Sequence, residues 1–109
     1  MDHRARAVFD ERSANHRQVA LQAFREVEDQ LANVRELRGE AQHERDAVAD
    51  AQSALTLATG QYRDGAVSYL DVIAAQTTAL DAERELIQAS TGQLLATVNL
   101  IRALGGGWN

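Results

Sequence analysis

From Ala20 to Tyr62 an apolar residue returns at every seventh position, through Val27, Val34, Ala41, Val48 and Leu55. A sustained period of seven is the mark of a helix that supercoils left-handedly around a partner, because the stripe must keep facing the same neighbour. Phe24, Leu31 and Leu37 widen the stripe in its middle part. The chain contains no proline, so nothing breaks such a helix by ring clash or a missing amide. Gly39 falls inside the pattern and costs about 1 kcal/mol against alanine, which predicts local looseness in one continuous helix. The first helix is expected over about residues 4–60.

A second helix, expected over about residues 68–104, carries two apolar columns. Ile73, Leu80, Ile87, Leu94 and Ile101 form a large one, and Ala75, Ala82, Ala89, Ala96 and Ala103 a small one. At about 100° per residue the columns lie about 160° apart, with Val72, Ala79, Leu86 and Leu100 between them. One partner helix cannot cover that arc, so a second neighbour is implied. If the chain folds back on itself, Leu55 meets Ala75, Val48 meets Ala82, Ala41 meets Ala89, Val34 meets Ala96 and Val27 meets Ala103 without drift in register. The large column pairs equally well two residues out, so the pattern leaves open which column faces inward. In either case the first twenty-five residues have no partner in the chain, an overhang of roughly 37 Å at 1.5 Å per residue. Val8, Phe9, Val19 and Phe24 are then apolar and uncovered. The fold class is all-α, an antiparallel coiled-coil hairpin that is a piece of an α-barrel or an oligomer, with residues 1–109 forming one segment and no second domain.

The turn between the helices, at about residues 61–67, is spelled out in "YRDGAVSYLDV". Gly65 supplies the left-handed position that ends the first helix, and Gly60 loosens the turn before it. Ser68 followed by Asp71 is a short-armed capping box, with the Ser hydroxyl on an orphan amide and the Asp carboxylate at the positive helix end. At the far end "ALGGGW" is expected to stop the second helix, leaving Trp108 in need of a surface.

Composition narrows the function. A net charge of −5, with eleven arginines and no lysine, provides no concentrated basic face for nucleic acid. The absence of cysteine excludes disulfides, thiolate metal sites and a cysteine nucleophile within the sequence. The start is charged and helical in pattern, unlike a secretory signal, and the uncharged stretch from Leu86 to Ile101 is too short and polar to span a bilayer. Glu40 and His43 have the spacing of a carboxylate-bridged di-metal bundle, to which Glu83 or Glu85 could contribute. His43, however, is rotated about 200° from Ala41 and points away from the seam where a metal would sit. His3 and His16 lack partners at ligand spacing, and Glu36, Glu40 and Glu44 form a like-charge ladder typical of a wet face. No phosphate loop, zinc spacing or nucleophile triad is present, so no enzyme and no cofactor is expected.

Three ordered segments, "ALQAFREVEDQL" (20 to 31), "YRDGAVSYLDVIAAQ" (62 to 76) and "NLIRALGGGW" (99 to 108), resemble the closing part of the trimeric, TolC-like outer-membrane efflux factors, the lipoprotein type of tripartite pumps. The resemblance covers nearly the whole chain. It implies the second of two periplasmic helical hairpins, with the first repeat, the β-strands, the signal peptide and the lipidated cysteine lying outside this sequence. It implies a homotrimer in the outer membrane, with this segment on its periplasmic side, a periplasmic adaptor docked at the hairpin tip, and an inner-membrane pump engaged indirectly. The adaptor-docking and aperture positions it implies are Tyr62, Arg63, Asp64, Gly65, Val67 and Ser68. Tyr62 matches a latching tyrosine, Gly65 the tip glycine against the adaptor, and Asp71 an acidic ring position lining the pore. Val67 stands where some members have a latching arginine, and Ala74 where many have a second acid, as in "DVLDAQ"; these departures speak against a double acidic ring or a fully charged latch. The alternative reading is a self-standing hairpin scaffold that dimerises into a four-helix bundle with no transport role.

Overall fold

A computed structural model describes residues 3–106, and Trp108 therefore lies outside the described residues. Two helices account for almost all of them: α1 (His3–Arg63) and α2 (Tyr69–Gly106). They fold back on one another into a rod of 96 × 16 × 14 Å. Its long dimension is set by α1, whose 61 residues reach about 92 Å at 1.5 Å per residue.

Burial decides which column of α2 faces inward. Buried or half-buried residues recur in alternating steps of three and four, from Val27 to Ala58 on α1 and from Val72 to Ala103 on α2. The alanine column lies in this seam, with Ala96 only 3% exposed and Ala41, on the facing side of α1, fully covered. The large column lies outside, and Ile87 is 66% exposed. Alanines let two helix axes approach to about 8 Å, and the leucines that share the seam, Leu37, Leu55, Leu86 and Leu100, are only half-buried. The core is accordingly thin: of its seven buried residues five are alanine and two are valine. No side chain on either helix is completely buried by residue volume among the larger types.

The overhang is present as expected. Val8, Phe9, Val19, Leu21 and Phe24 are all exposed on the part of α1 that α2 does not reach. Both helix ends at the turn are tighter than the sequence pattern indicates. α1 continues through Gly60 to Arg63, since the Gly60 carbonyl accepts the Asp64 amide at 3.1 Å and the helix closes only at Gly65. α2 begins at Tyr69 and continues through Gly105 into Gly106 rather than stopping near residue 104. Glycine lowers helix propensity but does not forbid the conformation, so Gly105 extends the last turn. Within the helices, Thr56, Thr59, Thr77, Thr78 and Thr97 each donate their hydroxyl to the carbonyl four residues earlier, at 2.8 to 3.1 Å, which lets β-branched residues sit in helix without an unpaired hydroxyl. One side-chain bond crosses the seam, from Gln52 Nε2 to Glu83 Oε1 at 3.1 Å.

The close seam makes a prediction about volume. Ala89→Leu is expected to destabilise the hairpin by about 1 to 3 kcal/mol through overpacking, whereas Ile87→Ala, two residues away, shifts it by less than about 0.5 kcal/mol in dilute solution. Urea unfolding of the two variants side by side checks the order; equal costs would place the wrong column inside.

Candidate functional site at the hairpin tip

Residues 60–72 build the tip from backbone hydrogen bonds. The Ala66 amide donates to the Gln61 carbonyl at 2.8 Å and the Gly65 amide to the Tyr62 carbonyl at 3.0 Å. This nested pair is a Schellman motif, with Gly65 in the left-handed conformation at φ 79°. Nothing lies within 4 Å of where a Gly65 side chain would project, so the glycine is required by its backbone angle and not by crowding. At the start of α2 the Asp71 amide donates to the Ser68 carbonyl at 3.1 Å. The Ser68 hydroxyl expected on an orphan amide makes no such bond among the described residues; the tight first turn supplies the backbone carbonyl in its place. Asp71 does occupy the first turn of α2, where the helix dipole favours a carboxylate.

The side chains at this end are displayed outward. Arg63, Asp64, Gly65, Ser68 and Asp71 are exposed, and Val67 is half-buried beneath them. Tyr62 and Tyr69, one from each helix, meet across the turn with ring centroids 5.3 Å apart and planes tilted by 56°. The partner tyrosine is a tip residue that the sequence pattern did not single out. Its signal was the near-symmetry of "YRDGAVSY", in which a Tyr flanks each side of the turn. The two residues remain 46% and 53% exposed, so part of each is free to meet another surface. Tilted aromatic contact holds the two helix ends together where the seam has run out.

Along α2 the tip leads into two different flanks. Ile73, Leu80, Ile87, Leu94 and Ile101 form an exposed apolar stripe, extended by Leu70 and Val98. On the other side of the alanine seam, about 160° from that stripe, Asp71, Thr78, Glu85, Gly92 and Asn99 form a column with no apolar side chain. A helix with a packed seam, a greasy flank and a wet flank has three distinct surroundings. The Glu40 and His43 pair is exposed on α1, and among the described residues no three His, Cys, Asp or Glu side chains gather as a metal ion would require. Among those residues, too, no helix is long and apolar enough to cross a membrane.

Comparison with known proteins gives the family. The profile of the outer membrane efflux protein family matches residues 3–106. The chain belongs to that family. It is 40% identical over 87 residues to the outer membrane protein OprJ of Pseudomonas aeruginosa, covering 80% of this chain and 18% of that one. It is 41% identical over 86 residues to the toluene efflux pump outer membrane protein TtgC of Pseudomonas putida, covering 79% and 18%. The cation efflux system protein CusC of Escherichia coli is 33% identical over 94 residues, covering 86% and 20%. The chain thus spans about a fifth of the length of these relatives. No solved structure matches it significantly.

Two measurements test the tip. Gly65→Ala is expected to cost about 1 to 2 kcal/mol in urea unfolding, because a Cβ at positive φ meets its own carbonyl. A double-mutant cycle of Tyr62→Ala and Tyr69→Ala should return a coupling of about 0.5 to 1 kcal/mol, and additive losses would mean that the rings do not support one another.

Proposed function

We propose that the chain is a stave in the periplasmic tunnel of a trimeric outer-membrane efflux channel and that its tip docks a periplasmic adaptor. The observation that carries this reading is membership of the efflux family, and the three-sided character of α2 suits it. A stave in a cylinder needs one face for its own hairpin partner, one for the next hairpin around the ring and one for the water inside. The alanine seam, the Ile and Leu stripe and the column from Asp71 to Asn99 answer to those needs in turn. A free-standing four-helix bundle would bury the same stripe and leave the same column in water, so it is membership of the efflux family that favours the channel.

The tip residues take their roles from where they stand. Asp71 heads the polar column and, in three copies around a narrowing, offers carboxylates that attract and detain cations. Tyr62 sits at the same level, its ring shared with Tyr69, and closes the aperture by contact between neighbouring staves. Arg63, Asp64, Gly65, Val67 and Ser68 form the outermost surface, and the side-chain-free Gly65 lets an adaptor helix approach the backbone. An inner-membrane pump would be reached only through that adaptor. A rigid tube with no chemistry of its own conducts passively, so the choice of cargo falls to the partners. Family membership and the names of the efflux relatives support this reading.

Asp71→Ala in the complete trimer is expected to raise severalfold the concentration of divalent cation that half-blocks its conductance in a planar bilayer. Unchanged block would remove Asp71 from the pore.

A further inference from the structure

The two glycines in the middle of the rod are not explained by packing or backbone angle. Gly39 on α1 and Gly92 on α2 both lie inside regular helix, and neither has the positive φ that Gly65 adopts. A Cβ built at either would meet nothing within 4 Å. Alanine would therefore fit at both and would favour the helix by about 1 kcal/mol each. In the antiparallel register the two glycines fall at the same level, one on each helix. Two helices weakened at one height differ in kind from two weakened at random, because neither splints the other.

The surroundings of that level are soft as well. From Val48 and Ala82 towards the tip every seam position is apolar. Below it the seam admits Glu44, Gln93 and Gln30, and the Gln30 Oε1 atom is buried with no hydrogen-bond partner. A shallow groove of about 270 Å³ opens at the glycine level, lined by Leu37, Glu40 and Glu44 of α1 and Glu85, Gln88 and Gly92 of α2. Three carboxylates line this groove, and open space rather than a packed neighbour faces Gly92. The tip-ward half is stapled by contrast, through the Gln52 to Glu83 bond, the Schellman turn and the tyrosine pair.

We infer that the hairpin pivots at the Gly39 and Gly92 level, where the helices open locally and briefly, so that the stapled half from there to the tip swings as one lever. A bend spreads over a few residues whose outer hydrogen bonds lengthen, and glycine with a wet seam makes that deformation least costly here. The lever is roughly 35 to 40 Å long at 1.5 Å per residue, so a 5° bend moves the tip by about 3 Å. The pivot rests on the hairpin fold; only its use in widening an aperture at Tyr62 and Asp71 rests on the proposed channel.

Amide hydrogen exchange of the folded chain, read by mass spectrometry on overlapping peptides, tests the pivot without reference to transport. Residues 36–44 and 88–96 should exchange at least about ten-fold faster than residues 50–57 and 74–81. The double variant Gly39→Ala with Gly92→Ala should slow the first pair of segments about ten-fold while leaving the second within about two-fold. Uniform exchange along the rod, or slowing by the same factor in all four segments, would overturn the inference, since either means that the glycines do not define a local joint. Because both alanines project into open space, the variant retains the wild-type fold for this comparison.

Discussion

The whole molecule depends on how closely two helix backbones can approach. Alanine at every seventh position of α2 sets that distance, and the apolar residues of α1 follow it in register. A seam so narrow yields little hydrophobic burial per residue, and the core holds nothing larger than valine. What it supplies is stiffness and order: close backbones and a register that admits no slip without driving a larger side chain into the gap.

A thin seam also leaves most of the apolar surface outside. The Ile and Leu stripe of α2 and the Phe9, Val19 and Phe24 surface of the overhang are far more than a lone hairpin hides. Such surfaces call for partners, and the polar column beside them stays in water. The same geometry accounts for the tip. Where the seam runs out, a left-handed glycine and a pair of tyrosines take over from alanine packing and hold the two helix ends in a fixed relation.

The seam changes character along the rod. A dry seam and a cross-helix bond hold the half near the tip, whereas glycines, glutamines and carboxylates share the middle. Polar residues at seam positions lower stability, yet they also localise deformation.

Much of this was legible in the amino-acid order. The sevenfold period, the absence of proline, the left-handed glycine at residue 65 and the surplus of apolar columns on α2 determined two long antiparallel helices, a turn between them, an overhang and an unmet second neighbour. Those features are local or periodic, and periodicity survives without knowledge of what lies opposite. The order of residues could not say whether alanines or isoleucines faced inward, since both columns keep register with α1. That choice was made by the tertiary structure, where only the small column permits backbones to close on one another. The pairing of Tyr62 with Tyr69, the bond from Gln52 to Glu83 and the coincidence of Gly39 with Gly92 likewise appear only once the chain is folded back, because each joins residues that no repeat along a single helix brings together.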